Sequence, residues 1–175
     1  KGNFSELEKV HFAEPTFLKI FDFKLIRGKA ENSLSDPNSV VITEEIGLKY
    51  FGDPFPVGQT LTLQTGGEWA HFTVTGIIEK APGNSSIQYG IIVPFSQGAA
   101  QMSEEAKTSW TNVIVETYIL LNEANKVKEF EAKFAPFVDD KVASDYKPGE
   151  YIVGFQPLTD IHLNKDFPLG LVPVS

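Results

Sequence analysis

Residues 38–58 read NSVVITEEIGLKYFGDPFPVG, and this stretch decides the fold. Val40, Val41 and Ile42 form a β-branched run of the kind that fills a strand. Thr43 stands where a helix N-cap belongs, and Glu44 and Glu45 put negative charge on the first turn, where the helix dipole favours it. Within the helix Ile46 and Tyr50 are about one turn apart, as are Leu48 and Phe51, which predicts a broad apolar face. Gly52 is placed to be the left-handed C′ residue, and Asp53-Pro54 prevents continuation. Pro56 and Gly58 then turn the chain into the alternating strand Thr60-Leu61-Thr62-Leu63. Nothing in the stretch reads as reactive chemistry, so it points to shape and not to catalysis.

The flanking sequence extends this pattern. Upstream, a helix is expected around residues 14–21, where Pro15 suits the first turn and Phe17, Ile20 and Phe21 share a face. A strand over 23–27 follows and stops at Gly28, and residues 31–38 read as a polar loop. Downstream, Thr60 begins one alternating run and Phe72-Thr73-Val74-Thr75-Gly76-Ile77-Ile78 is another. The Gly66-Gly67 pair between them predicts a β-hairpin. Residues 81–86 form a further turn, and 87–95 a strand ending at Pro94.

From Ser96 to Ser109 the composition shifts to Gln, Gly, Ala, Ser and Glu, a plausible crossing between subdomains. Residues 112–121 then form the strongest expected strand. In the amphipathic helix that follows, Val127, Phe130, Phe134 and Phe137 recur at helical spacing, with Lys126, Glu129 and Lys133 on the other side. Pro136 is expected to kink or end it, because the ring clashes with the Ala132 carbonyl. Residues 151–158 supply a last strand. The fold class is therefore α+β, with a hairpin-rich first part and a strand, helix, strand layer in the second.

Composition bounds the rest. A chain of 175 residues suffices for one core or for two small subdomains sharing an interface, and 42% hydrophobic with 22% charged residues is ordinary for a folded chain. The net charge of −8 argues against nucleic acid, whose affinity rests on Lys and Arg neutralising phosphates, and equally against a polybasic hold on anionic lipid. With no cysteine, the chain has no disulfide framework, thiolate zinc site or cysteine nucleophile. The longest apolar stretch, Val113 to Leu121 interrupted by Glu116, falls far short of the ~20 residues that span a bilayer. The chain begins at Lys1 without an initiator Met or signal peptide and ends in a Pro-rich tail, so a longer parent is expected.

Candidate chemistry is sparse. His11, His71 and His162 are far apart and lack His or Cys partners at metal-ligand spacing, so no metal site is assigned. Asp160 and His162 fall on one side of an extended Asp160-Ile161-His162-Leu163 segment. They read first as a hydrogen-bonded structural pair and, in the competing view, as half of an acid/base device of a hydrolase. No Gly-x-Ser-x-Gly elbow occurs, and Gly66-Gly67 lacks the Gly-Lys-Ser/Thr of a phosphate loop, so ATP binding is not expected. Glu44-Glu45 and Asp139-Asp140 are adjacent carboxylates that point to different faces, which suits helix-dipole compensation and solvation respectively. Asn3-Phe4-Ser5 and Asn84-Ser85-Ser86 match a glycosylation acceptor and carry no functional weight here. No catalytic, cofactor or metal residue is assigned. Fourteen Phe is a high count. Phe12, Phe17, Phe21 and Phe23 crowd near the start and read mostly as core, with a groove lining between subdomains as the alternative.

Four segments in order carry a family resemblance: FLKIFDFKLIRGKAENSLSDP, NSVVITEEIGLKYFGDPFPVGQTLTL, FTVTGIIEKAPGNSSIQYGIIVPF and, near the end, LTDIHL. Together they resemble the extracytoplasmic core domain of bacterial ABC-transporter permeases of the MacB and FtsX type, particularly Bacteroidetes members. The likeness covers residues 12–98 well and 110–163 more loosely. It implies one MacB-like domain over 1–175, with a β-rich subdomain at 23–95 inserted into a porter-like α/β part at 1–22 and 112–163. Residues 164–175 become a tail toward the membrane. It further implies a noncatalytic, periplasmic domain of an inner-membrane permease with one membrane helix before it and three after. Such a permease forms a homodimer or heterodimer, works with a separate cytoplasmic ATPase subunit, and has a periplasmic adaptor as a further candidate partner. The domain would couple ATP-driven helix motion to export or to a periplasmic partner. A stand-alone secreted ligand-binding module with a groove between subdomains is the alternative.

Overall fold

The computed structural model describes residues 8–112, 114–123 and 126–160. It divides into two compact units, Lys1–Met102 and Ser103–Ser175. In the first, the elements run β1 (Val10–Ala13), α1 (Phe17–Ile20), β2 (Leu25–Arg27), β3 (Ser39–Thr43), α2 (Glu44–Phe51), β4 (Thr60–Thr65), β5 (Glu68–Ile78), β6 (Ile91–Pro94) and α3 (Phe95–Ala99).

The β-branched run becomes the middle of the sheet. All five β3 positions are buried. The strand is flanked by β5, to which it runs parallel, and by β6, to which it runs antiparallel, and the full order is β1-β6-β3-β5-β2 with β4 added along β5. Residues 8–22, allotted by resemblance to the porter-like part, here contribute β1 to this same sheet through parallel pairing with β6.

Alternation along β3 serves both faces. Val40 and Ile42 pack with Ile46 of α2, Leu61, Phe72, Val74, Ile77, Ile91 and Val93, while Val41 packs on the other face with Leu18, Leu34, Ile78, Tyr89 and Ile92. Phe72, Ile42 and Ile77 are fully enclosed, and each such burial contributes about 1.5–3 kcal/mol.

Strand β5 reaches both clusters only because its alternation is interrupted. Its register against β3 runs Val40 to Val74 and then Val41 to Gly76, so Thr75 is the extra residue of a bulge. Unbroken alternation from Phe72 and Val74 would send Gly76 and Ile78 to their face. The bulge reverses the parity, puts Ile77 beside Phe72 and Val74, and delivers Ile78 to the opposite core.

The cap and stop signals of the 44–51 helix are borne out. The Thr43 hydroxyl accepts from the Ile46 amide at 3.5 Å, and Gly52 takes φ 69° with its amide donating to the Leu48 carbonyl. Gly66 and Gly67, at φ 61° and 92°, make the two-residue hairpin turn between Thr65 and Glu68. Three readings need correction. The first helix is confined to Phe17–Ile20, since Pro15 and Thr16 remain in a turn. The strand expected over 87–95 is only Ile91–Pro94, because Ser85, Ile87 and Gln88 are held in a hydrogen-bonded turn. Leu48 is 59% exposed; α2 buries Ile46 and Gly47 instead, and the Asp53–Pro56 turn lies against Gly47 so closely that a Cβ there would meet two carbonyls at 2.9 Å.

The second unit contains α4 (Glu104–Thr108), α5 (Val127–Lys141) and a 3₁₀ turn at Leu158–Asp160. Ser103 caps α4 by accepting from the Ala106 amide at 3.1 Å. Helix α5 runs through Pro136 to Lys141, so the proline does not end it. Phe130 and Phe134 stack on its surface, and Phe155 meets both rings edge-on; Val138 and Val142 are buried. The strands expected at 112–121 and 151–158 are not formed among the described residues, and Val113 lies outside them. A strand needs a hydrogen-bonded neighbour, and neither expected segment pairs with the other among the described residues. Leu120 and Ile152 are accordingly 69% and 83% exposed. The fold is α+β with a mixed sheet.

Candidate functional site

The residues singled out for chemistry are dispersed and individually engaged. His71 lies on the outer face of the β4–β5 hairpin, where its Nδ1 and the Thr62 hydroxyl share a hydrogen bond at 2.9 Å. His11 is half-buried on β1, with Ile92 as its register partner. Asp160 ends the 3₁₀ turn, is exposed, and accepts from the Thr159 hydroxyl at 3.3 Å. His162 lies outside the described residues, as do Asn3 and the tail at 164–175. Among the described residues no group of three His, Asp or Glu side chains is arranged to hold a metal.

The paired carboxylates diverge as their spacing predicts. Glu45 bonds Lys80 at 3.0 Å across exposed surface, while Glu44 stays on the first turn of α2. Asp139 accepts from the Gly149 amide at 2.9 Å and so closes a turn, which corrects its reading as merely solvated; Asp140 sits 3.6 Å from Lys141. Gly66 is covered by the Gln101 side chain, whose atoms would clash with any Cβ there, and the glycine pair makes the hairpin turn. Asn84 is exposed in a turn.

Of the early phenylalanines, Phe17 and Phe23 are half-buried against the core, Phe21 is half-buried beside them, and Phe12 is exposed, which corrects their reading as mostly core. Phe17, Phe21, Phe23 and Tyr89 form one aromatic cluster with ring centroids 4.9–6.3 Å apart. Phe12 is packed directly over Gly98.

Two polar groups escaped sequence reading because their partners are far away in the chain. Glu8 accepts from Lys49 at 2.6 Å and from the Tyr50 hydroxyl at 2.8 Å. Partial burial pushes its pKa up, but the two hydrogen bonds and the Lys49 charge outweigh that and hold it below the ordinary value of 4.5. The Tyr89 hydroxyl donates to the Glu79 carbonyl at 3.1 Å, and burial, helped by the Glu79 charge, pushes it up to about 12. Both groups tie together separate parts of the first unit.

One shallow, open depression of about 260 Å³ lies along α5, lined by Leu121, Asn122, Glu123, Lys126, Glu129, Phe130 and Lys133. Its charges alternate in sign and the Lys126–Glu123 pair is closed at 2.8 Å. Surface is therefore the more prominent feature: in the first unit Leu48, Phe55, Val57 and Trp69 are exposed apolar side chains, and Arg27 stacks on the Phe55 ring at 4.8 Å.

The model of the MacB-like periplasmic core domain family matches residues 2–137. The chain belongs to that family. A crystal structure of a domain ascribed to a permease protein of Porphyromonas gingivalis shares its fold at a TM-score of 0.56 and 24% identity, covering 76% of this chain. The MacB-like chain spans 60% of that structure. A comparison with curated proteins returned no match. Domains of the MacB-like periplasmic core type are extracytoplasmic. No helix among the described residues of this MacB-like domain is long and apolar enough to cross a membrane.

Proposed function

We propose that this chain is the noncatalytic extracytoplasmic part of an ABC-transporter permease, coupling ATP-driven motion of membrane helices to export or to a periplasmic partner. The family match over residues 2–137 carries the reading. The dispersal of His11, His71 and Asp160, each on a different element, supports a role without catalysis. ATP would be hydrolysed on a separate cytoplasmic subunit, and the parent permease would pair as a homodimer or heterodimer, with a periplasmic adaptor as a further partner. Residues 23–95 would be the β-rich inserted subdomain, and 1–22 with 112–163 the porter-like part.

The parent reading frame tests this. One span of ~20 apolar residues upstream and three downstream is the expected result. A signal peptide and a stop codon close to Ser175 would overturn it in favour of a stand-alone secreted module. The hydrolase alternative has its own test: loss of an activity in His162→Ala with an unchanged thermal midpoint would establish it.

A further inference from the structure

Strand β4 lies along the side of β5 opposite β3, and its outer edge pairs with no strand among the described residues. The hairpin turn decides which amides that edge presents. With Gly66 and Gly67 as the two loop residues, Thr65 and Glu68 are the hydrogen-bonded pair. By alternation Leu61, Leu63 and Thr65 direct their amides to β5, and Thr60, Thr62 and Gln64 direct theirs outward.

Natural sheet edges are guarded by charge, proline, bulges or short length. Strand β4 has none of these over Thr60–Thr65, TLTLQT, and its register with β5 is unbroken throughout. Thr60, Thr62 and Gln64 are exposed.

We propose that this edge is a homotypic interface, in which β4 of one copy pairs antiparallel with β4 of a second copy about a two-fold axis through Thr62. The strand is self-complementary in that register. Thr62 stands opposite Thr62 of the second copy, Thr60 opposite Gln64, and Leu61 opposite Leu63. The three outward-facing residues are the ones whose amides such a pairing uses, so no register slip or strand rotation is required. Polar side chains meet polar ones on the outer face, and leucines meet leucines on the core face. Leu63 and Ala70 are only half-buried at the margin of the core in one copy, and the leucines of the second copy continue the apolar face beyond them. An isologous contact of this kind closes at two subunits. Each copy carries a net charge of −8, and the uncharged edge is where two copies approach with least local repulsion. The interface holds whatever the parent protein does.

Sedimentation of the 175-residue chain at concentrations up to ~1 mM tests it together with cross-linking. The expected result is a concentration-dependent dimer whose association weakens at least tenfold in Thr62→Pro. That substitution removes an outward N–H and no β4–β5 hydrogen bond. Thr62→Lys, which keeps every amide, is expected to weaken the dimer likewise, and circular dichroism reports whether each variant retains the fold. Because the chain has no cysteine, Thr62→Cys introduces a single thiol. A short bismaleimide should join two Thr62→Cys chains and should fail to join Thr73→Cys chains, since Thr73 lies between β3 and β4 within the sheet. A monomer at every concentration overturns the proposal. So does a dimer indifferent to Thr62→Lys, or an edge that captures an unrelated extended peptide while the chain stays monomeric.

Discussion

The Thr75 hydroxyl donates to the Ser33 carbonyl at 2.6 Å, tying the bulge of β5 to a loop residue 42 positions earlier in the chain. The Val40 carbonyl shares that proton at 3.2 Å, and the Ser33 hydroxyl in turn donates to the Lys29 carbonyl at 2.8 Å. The bulge that lets β5 serve two cores is thus held by a polar anchor between the sheet and the 29–33 loop. Thr75→Val keeps the shape and removes the donor, leaving the buried Ser33 without it. Urea denaturation should show a loss of about 1–3 kcal/mol; a change within experimental error would show that the bulge needs no anchor.

Gly28 tests the same junction from the other side. It has φ 92°, and a Cβ there would lie 2.6 Å from the Thr75 carbonyl and 2.8 Å from the Ser33 hydroxyl. Gly58 has a similar φ of 86° and open space around it. Gly58→Ala should cost about 1–2 kcal/mol for left-handed backbone alone, and Gly28→Ala clearly more. Equal losses in the two variants would mean that the close approach is relieved without strain.

Tyr89 makes alkaline stability measurable. Its pKa rises from 10.0 to about 12 on folding, so the folded state holds the phenolic proton more tightly than the unfolded one. The corresponding stability is fully present below pH 10.0 and is lost as pH rises toward about 12. Tyr89→Phe should therefore be less stable at neutral pH, by about 1 kcal/mol for the lost bond to the Glu79 carbonyl, and should lose stability less steeply above pH 10.0. Parallel alkaline profiles for the two proteins would count against this assignment.

Glu8 acts at the opposite end of the scale. Its folded pKa lies below 4.5, so its contribution is present above that value and fades as pH falls through the folded value. Wild type should exceed Glu8→Gln in stability at pH 7, and the gap should close on acidification below 4.5. Thermal melts across that range decide it. A gap independent of pH would assign the difference to packing instead of to the Lys49 and Tyr50 bonds.

Signals written in neighbouring residues were legible from the sequence. The Thr43 cap, the Gly52 stop and the Gly66-Gly67 hairpin each depend on interactions within a few positions, where residue type and φ preference act directly. The family match over residues 2–137 likewise agrees with the resemblance and takes in three of the four segments that carried it. The candidate chemistry was legible mainly as dispersal, since spacing already kept His11 and His71 apart and split the Glu44-Glu45 and Asp139-Asp140 pairs.

Residues with sound strand composition did not thereby become strands. Ile114, Ile119 and Leu120 carry the pattern, yet they are exposed and in no strand among the described residues; a strand is completed by its neighbour. Pro136 lies inside α5, so of the two outcomes its local chemistry allowed, a kink or an end, the helix does not end there. The parity of β5 was equally hidden: Phe72 through Ile78 reads as simple alternation, and only the loop that brings Ser33 to Thr75 selects the bulge and sends Ile77 and Ile78 to different cores. Caps and turns follow from short-range sterics and hydrogen bonding. Pairing, register and face follow from contacts between residues tens of positions apart, whose energies exist only once the chain has folded back on itself.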